Sequence, residues 1–506
     1  MSGTSLIPFS NIAPNTRVPL FHVEFSNVAA GVAQGVNRRL IIGQATATVP
    51  AVPTYVASTA QAQSVFGPRS QLAARIARYK LNDPVSEVWA LPLADAASSA
   101  AATATVAVTG TATANGTVPL YVGDTLVQVG VATGDSATVV ATNIAAACTA
   151  STFLPATAAA ATGTVTLTAA NKGTLGNALP IMLNYLGAEG GQTVPAGLTI
   201  AITPFAGGAT DPSLATIATM LGVQPFKYIG SPYSDDTSLG FTGAMMSDAS
   251  GRWSDAQQLY GHIFSGHADT VGNLLTYGAG LNDQHLTVLA SNQASPTPPW
   301  LRDVALMAKG SVSADIQPNQ PWQTLVLLGC LPAPAASDWT FSEQQSLLTS
   351  GIAVSARGPG GVEQIVRAVT TYQVNSYGQP DQSYLDTEDM YLNMAVVGAL
   401  KNAITQQIPR ALLADDGARV PVTPTGGVPT VVTPSIAKGL LVTQYGTMVD
   451  AGWVDNIAAF TAGLIVQRNA NDNSRLDVLY DPYYVSGLRV FALLNQFHMA
   501  ALAAAA

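Results

Sequence analysis

The amino-acid sequence predicts an α/β (α+β) multi-domain protein with a central mixed sheet, flanking helices, an inserted β-rich domain and extended N- and C-terminal arms. Three observations support this fold class. Strand and helix patterns alternate through most of the chain, as in a sheet covered by helices. Residues 95–207 instead show short alternating apolar runs between glycine-containing turns, which is typical of a small β-domain. Prolines near the N-terminus exclude a continuous helix there.

The composition of the 506 residues narrows the class of function. Charged residues make up only 10% of the chain, against about 25% in an average soluble protein, and the net charge is −9. Nucleic acid is therefore not expected as a partner, because phosphate binding requires clustered Lys and Arg. The low charge predicts a homo-oligomer in which much of the surface is buried against other copies. No run of about 20 continuously apolar residues occurs, so membrane insertion is not expected either.

The first segment, residues 1–26, is predicted to be a linker arm. Its last part alternates apolar and polar side chains with the period of two that indicates a strand. The apolar members of this strand are Phe21, Val23 and Phe25. Such a strand can pair within its own subunit or reach a neighbouring one.

Residues 27–94 and 208–365 are predicted to form one α/β core domain on either side of the insert. The evidence is a series of short apolar runs that alternate with segments of helical periodicity. In chain order the predicted elements are strand 39–43, helix 70–80, strand 85–91, helix 214–221, strand 226–230, helix 254–264 and strand 287–290.

Residues 95–207 are predicted to be an inserted β-rich domain. Residues 95–210 contain only five charged residues, Asp95 included, and Ala, Thr, Gly and Val dominate there. One helix is expected to interrupt the strands, since Asp135 or Ser136 is a suitable N-cap. The expected apolar stripe of that helix is Val140, Ile144 and Ala147.

The rest of the chain is predicted to be a C-terminal domain, residues 366–487, followed by a C-terminal arm, residues 488–506. The domain is expected to contain a β-branched strand at 365–372, a long helix at 391–407 and a second helix at 449–460. The arm is predicted to be a strand or a short extended segment. Its apolar members are Val490, Phe491 and Leu493.

Four side chains, His262, His267, Asp269 and His285, are of the types that bind zinc. His262 and His267 are five residues apart, which places them off one helical face. Ordinary hydrogen-bonded histidines are therefore the favoured interpretation, and no metal site is predicted. A metal-dependent hydrolase using His262, His267 and His285 is the enzymatic alternative.

The acidic cluster Asp386, Glu388 and Asp389 allows two interpretations. The three carboxylates could perform acid–base catalysis, or they could complement the dipole of a helix that begins there, and the second is favoured. The sequence contains neither a Walker loop nor a GxGxxG motif. No catalytic residue and no cofactor is therefore predicted, and the chain is not expected to be an enzyme.

A series of short motifs recurs in order along the chain, and the ordered set resembles the contractile tail sheath proteins of Mu-like bacteriophages. The matches extend over about residues 15–497, and each motif alone is unspecific. Three of them are Arg39-Leu40-Ile41-Ile42-Gly43-Gln44, Ser250-Gly251-Arg252-Trp253 and Leu413-Ala414-Asp415-Asp416-Gly417.

This resemblance implies a structural subunit that polymerises as a helical sheath around an inner tail tube and contracts to drive the tube through the host cell envelope. It implies many copies of the chain as partners, together with the tail tube protein and the baseplate and tail terminator proteins. The expected location is the tail sheath of the virion, after assembly in the host cytoplasm. The resemblance also implies that the insert faces outward and that residues 366–487 face the tube.

The resemblance gives the two terminal strands a function, because a strand donated to a neighbouring sheet links subunits by β-augmentation. Phe21, Val23 and Phe25 would belong to one donated strand, and Val490, Phe491 and Leu493 to the other. Pairing of both strands within their own subunit is the alternative. A further alternative for the whole chain is a tail module that binds host glycans through residues 95–207.

Overall fold

The computed structural model describes residues 37–419 and 430–497. The chain divides into two units, and the second begins at Arg38. Its strands are β1 Arg39–Gln44, β2 Thr54–Val56, β3 Val88–Leu93, β4 Thr103–Gly110, β5 Gly116–Val122, β6 Thr125–Val131, β7 Ala156–Ala161, β8 Thr164–Ala169, β9 Ile181–Leu183, β10 Leu198–Ala206, β11 Tyr228–Gly230, β12 His262–Asp269, β13 Leu286–Asn292, β14 Val354–Arg357, β15 Glu363–Arg367, β16 Leu412–Leu413, β17 Val431–Val432, β18 Val454–Asp455, β19 Ile465–Arg468, β20 Leu476–Leu479 and β21 Tyr483–Tyr484. Its helices are α1 Thr59–Phe66, α2 Gln71–Asn82, α3 Ala137–Ala150, α4 Ile217–Leu221, α5 Asp236–Met246, α6 Val271–Ala279, α7 Pro299–Ile316, α8 Phe341–Thr349, α9 Thr387–Gln407, α10 Pro434–Asp450 and α11 Ile457–Gly463.

A six-stranded mixed sheet forms the centre of the molecule, in the order β13-β12-β11-β1-β3-β2. The first five strands are parallel, and the short edge strand β2 is antiparallel to β3. Strand β1 is buried on both faces because successive residues enter different cores. Ile41 packs with α2 and α7, while Leu40 and Ile42 pack with α4 and α5. The predicted mixed sheet with flanking helices is therefore confirmed.

Helices α2 and α7 are joined beneath the sheet by a buried ion pair. Ser70 begins α2 by accepting a hydrogen bond from Ala73 N, which agrees with the predicted start of this helix. One turn later, Arg75 donates to both carboxylate oxygens of Asp303 on α7, at 3.0 and 2.8 Å. Both side chains are completely buried. This pair fixes the two helices to each other on one face of the sheet.

The chain between β3 and β11 folds into two further sheets, in the orders β10-β4-β8-β7 and β6-β5-β9. Helix α3 packs with them, and its N-cap is Ser136, one of the two predicted residues. Val140 and Ile144 are buried as expected, whereas Ala147 is only half-buried. Trp300 of α7 closes this hydrophobic core from the side of the central sheet. The two sheets and the central sheet therefore share a packed boundary.

The predicted helix at 254–264 is wrong, because β12 occupies the end of that segment. A turn follows Ser254, whose hydroxyl donates to Gly251 O. A Cβ on Gly261 would lie about 2.4 Å from Phe226 O, so this glycine permits the close approach of β12 to β11. A central parallel strand is buried on both faces and lacks the period-two pattern that identifies a half-buried strand. The short apolar run was therefore ambiguous.

The predicted helix at 449–460 is also wrong. Helix α10 ends at Asp450, and Gly452 then adopts a left-handed conformation with φ of 71°. Asn456, with φ of 53°, caps the separate helix α11. Two consecutive breaks of this kind cannot lie inside one helix.

The long helix of the C-terminal region is confirmed, although α9 begins four residues earlier than predicted. The predicted strand at 365–372 starts within β15 but ends at Arg367, after which a single bridge joins Val369 to Asp386. Helices α9, α10 and α11 enclose a small core of their own, in which the rings of Tyr445 and Phe460 stack at 3.7 Å.

Candidate assembly surface

The C-terminal arm presents a row of apolar side chains to solvent. Residues 485–497 form neither helix nor strand. The predicted strand residues Val490, Phe491 and Leu493 are 77%, 81% and 77% exposed, and Leu494 and Phe497 are similarly exposed. Exposure of five large apolar side chains within eight residues is unfavourable in water, at roughly 1.5–3 kcal/mol for each side chain left unburied. An exposed apolar row of this kind is a candidate interaction site.

The arm is held to the protein at Arg489, the residue before this row. Arg489 Nη1 donates to Glu388 Oε1 at 3.3 Å, and Nη2 lies 3.1 Å from Glu388 Oε2 and 3.4 Å from Asp386 Oδ1. We call Arg489, Glu388 and Asp386 the arm clasp. Glu388 is 1% exposed, and it also accepts the backbone N–H of Trp322 at 2.7 Å. Burial raises the pKa of the Glu388 carboxyl, and Arg489 opposes that rise.

The acidic cluster therefore has a function beyond the predicted one. Glu388 and Asp389 lie in the first turn of α9 as expected, and Asp386 is the N-cap residue. The Asp386 carboxylate makes no capping hydrogen bond, because it binds Arg367 at 2.7 and 2.9 Å. Sequence reasoning missed Arg489 as the partner of this cluster. A single charged residue within the apolar run 488–494 was the signal that could have identified it.

The hairpin β19–β20 offers sheet edges at the surface. The two strands pair with each other, and no third strand of the described ranges joins them. Ile465, Val478 and Leu479 are between 44% and 59% exposed. A two-stranded hairpin is only marginally stable alone, and its open edges are templates for a further strand.

The N-terminal strand candidates Phe21, Val23 and Phe25 lie outside the described residues. Their pairing therefore stays a prediction.

The histidines considered for zinc each have a separate hydrogen-bond partner. His262 Nε2 lies 2.8 Å from Thr287 Oγ1, His267 Nδ1 lies 2.9 Å from Ser234 Oγ, and His285 Nε2 lies 2.9 Å from Asp248 Oδ1. Burial lowers the pKa of His262 well below its ordinary value.

The fourth zinc-type residue, Asp269, accepts hydrogen bonds from Thr270 N and Asn273 Nδ2 at the start of α6. Within residues 37–419 and 430–497, no three His, Cys, Asp or Glu side chains are placed to hold a metal ion. Each of the four candidate residues thus makes a local hydrogen bond of its own.

The crevice at the carboxyl end of β1 is filled by the protein itself. Strands β3 and β11 lie on opposite sides of β1, and ligands of doubly wound sheets bind at such a switch point. Here Gln44 Nε2 donates to Lys172 O at 2.6 Å and to Asp95 Oδ1 at 2.8 Å. The cavity that remains beside Gln44 and Trp300 has a volume of about 20 Å³, whereas ligand pockets are typically about 300–1,000 Å³.

None of the helices in the described part of the chain has the length and apolarity needed to span a membrane.

Comparison with known proteins decides the family. A family model for the phage tail sheath protein central domain matches residues 207–371. The Mu-like prophage FluMu tail sheath protein of Haemophilus influenzae is 33% identical over 496 residues, which cover 97% of this chain and 99% of that protein. The chain belongs to the phage tail sheath protein family. It is a structural subunit of a contractile tail sheath, and so a virion component in a multi-subunit tail assembly.

Two solved structures show similarity at low sequence identity. A sheath tail protein from Listeria innocua is 10% identical with a TM-score of 0.46, and the match covers 89% of this chain and 92% of that one. A chain of the anti-feeding prophage baseplate in its contracted state is 12% identical with a TM-score of 0.44, covering 97% and 100%.

Proposed function

We propose that this sheath subunit polymerises as a helical sheath around an inner tail tube and contracts to drive the tube through the host cell envelope. The observation that carries the proposal is the exposed apolar row at residues 490–497, since a monomer gains nothing from leaving it in water. Contacts that join different surfaces of successive copies do not close, and they generate a helical polymer. Membership of the sheath family agrees with such a polymer.

The terminal arms are proposed to link the copies. Val490, Phe491 and Leu493 would enter a sheet of one neighbouring subunit, and Phe21, Val23 and Phe25 a sheet of another. The open edges of β19 and β20 are suitable acceptors, because an added strand would satisfy their unpaired backbone groups and cover Ile465, Val478 and Leu479. Linked copies can rotate and slide during contraction without dissociating.

The proposed organisation assigns one task to each segment. Residues 1–26 and 488–506 are the two arms, and residues 27–94 with 208–365 form the sheath core. The insert, residues 95–207, faces outward, and the C-terminal domain, residues 366–487, faces the tube. The separate sheets and separate hydrophobic core of the insert support its assignment as an appended domain.

The energy for contraction is proposed to reside in the lattice, where one sequence packs in two ways, and not in a chemical reaction of the subunit. Tail tube, baseplate and tail terminator proteins are the proposed partners, and the host cytoplasm is the proposed site of assembly. The chain would therefore act without enzymatic activity.

Sedimentation of the purified full chain tests the contribution of the N-terminal arm. Polymer should pellet at high speed, and deletion of residues 1–26 should abolish or shorten it, because one of two links is lost. A variant with normal polymer length after this deletion would disprove linkage by the N-terminal arm.

Cysteine cross-linking tests the contribution of the C-terminal arm. The native cysteines, Cys148 and Cys330, are both buried, so an introduced surface cysteine is chemically distinct. Mixed subunits that carry Phe491→Cys or Leu479→Cys should give disulfide-linked dimers in the polymer. A Phe491→Cys and Val85→Cys mixture is the control, since Val85 is 90% exposed and far from the hairpin in sequence. Equal cross-linking in both mixtures would contradict insertion beside β20.

A further inference from the structure

The C-terminal tail changes abruptly from a bound segment to a free one at Arg489. Val485 N donates to Trp453 O at 3.1 Å, and Val485 O accepts from Asn319 Nδ2 at 2.9 Å. Leu488 O accepts from Gln323 Nε2 at 3.3 Å. No residue from 490 to 497 makes a hydrogen bond to another part of the described chain. Up to residue 497, where the described part of the tail ends, the clasp residue Arg489 is thus the last attached residue.

The contacts on either side of this point differ in strength. Val485 makes two hydrogen bonds and Leu488 makes one, and all three are neutral bonds that contribute little net stability each. Arg489 instead pairs with two carboxylates, and its side chain is only 14% exposed. Removal of one partner from such a pair leaves a buried charge uncompensated, which makes the pair costly to break.

The clasp also connects the tail to two rigid parts of the protein. Glu388 and Asp386 lie at the start of the 21-residue helix α9. Glu388 in addition holds the backbone of Trp322, whose side chain is completely buried in the main core. A Cβ on Gly310 would lie about 2.4 Å from the Trp322 ring, so the ring is seated directly on the backbone of α7. These contacts connect the tail to α9 and, through Trp322, to helix α7 against the central sheet.

We propose that the arm clasp is the mechanical anchor of the C-terminal arm, so that tension from a second copy of this chain bound to residues 490–497 is taken up at Arg489. This inference rests on the proposed function, because it requires that the arm binds another copy. It adds the point at which the force enters the subunit. Residues 485–489 then form a fixed base, and bending of the arm is confined to the chain beyond Arg489.

The test compares full-length wild type with Arg489→Gln and a matched control, Arg475→Gln. Arg475 pairs with Asp477 at 2.6 Å in the same region, but its side chain is 65% exposed. Hydrogen exchange of the Val485 amide, which donates to Trp453 O, should become about 10- to 100-fold faster in Arg489→Gln, because the base of the arm is released. The same amide should exchange at the wild-type rate in Arg475→Gln.

The second measurement uses the polymer. Tubes of Arg489→Gln should shorten or dissociate at a lower urea concentration than wild-type tubes, while Arg475→Gln tubes should match wild type. Glu388→Gln is a second variant that keeps an oxygen to accept the Trp322 N–H but removes the charge. It should reproduce the Arg489→Gln result. Circular dichroism of both variants would detect simple misfolding.

The outcomes separate this inference from the proposed function. Wild-type chain that forms no tubes would overturn the proposed function, and the anchor with it. Wild-type tubes together with unchanged exchange and unchanged urea resistance in both clasp variants would overturn the anchor alone.

Discussion

At the scale of single residues, buried ion pairs hold the core of this sheath subunit together. Arg302 repeats the arrangement of Arg75, since it pairs with Glu363 at 2.8 Å in a site where both side chains are nearly inaccessible. Arg252 shows the contrasting case, because its guanidinium is bound by the carbonyls of Gly222 and Gln224. Burial lowers the pKa of Arg252 to about 10. Few charges are present, and several of them stabilise the interior.

The Arg75–Asp303 pair predicts strong coupling between the two positions. Arg75→Met should lower the free energy of unfolding by about 3–5 kcal/mol, because Asp303 remains buried without a counter-ion. The double variant Arg75→Met with Asp303→Leu should be clearly more stable than the sum of the two single changes predicts. Urea denaturation of the four proteins measures this coupling. Simple additivity would show that the pair is not coupled.

Asp389 predicts a pH dependence of stability. Burial and the neighbouring Asp386 raise the pKa of Asp389 to about 6, from an ordinary value of about 3.9. The native state therefore holds this proton more tightly than the unfolded chain, and the stabilisation is present below about pH 4 and lost as the pH rises through 6.

Asp389→Asn should accordingly stabilise the protein at pH 7 to 8 by roughly 1–2 kcal/mol, after allowance for solvent screening. The gain should disappear near pH 4, where wild-type Asp389 is itself protonated. Thermal unfolding at both pH values measures the difference. A gain that is equal at pH 4 and pH 8 would show that the charge of Asp389 is not its cause.

At the scale of elements, the sequence predicted helices whose starts have local signals. It did not predict elements whose conformation depends on burial in the tertiary structure. Ser70 and Ser136 are conventional N-caps, and both helices begin where these residues predicted. Strand β12 was not predicted, because burial on both faces removes the alternation of apolar and polar residues. The arm clasp was missed for another reason, since Arg489 and Glu388 are 101 residues apart and no spacing rule connects them.

The residues of the motif Ser250-Gly251-Arg252-Trp253 have a structural role in the loop between α5 and β12. A Cβ on Gly251 would lie 2.5 Å from Met245 O, so only glycine permits the close packing of this loop on the end of α5. Trp253 Nε1 donates to Gly261 O at 2.8 Å. The motif is one member of the ordered set that resembles the family, and in this structure its residues build the turn that leads into β12.

The two ends of the insert lie close together, so we expect the central sheet to tolerate its deletion. Ala100 and Ala209 pair through two backbone hydrogen bonds, at 3.0 and 3.2 Å, so the two ends of the insert are adjacent. Replacement of residues 102–207 by Gly-Gly should leave the central sheet folded, with a lower melting temperature because Trp300 loses its cover.

An outward-facing insert also predicts that the shortened chain still polymerises. Loss of polymer with a folded central sheet, judged by circular dichroism and sedimentation, would place the insert within the lattice contacts instead.

At the scale of the whole molecule, the low charge has two different causes. Residues 95–210 hold only five of the chain's 21 basic and 30 acidic residues, and Thr, Ser and backbone groups supply the polar surface there. The remainder is still poor in charge, and it carries the exposed apolar arm and the open hairpin edges. Only this second part favours assembly, because an insert that faces outward, as we propose, would need no covering partner.

Electron microscopy of the purified full-length chain tests whether the subunit polymerises as a helical sheath. We expect long hollow tubes with a helical repeat, whose wall contains density joining each subunit to its neighbours through the arms. Particles that remain monomeric, or that close into small rings without growing further, would contradict it.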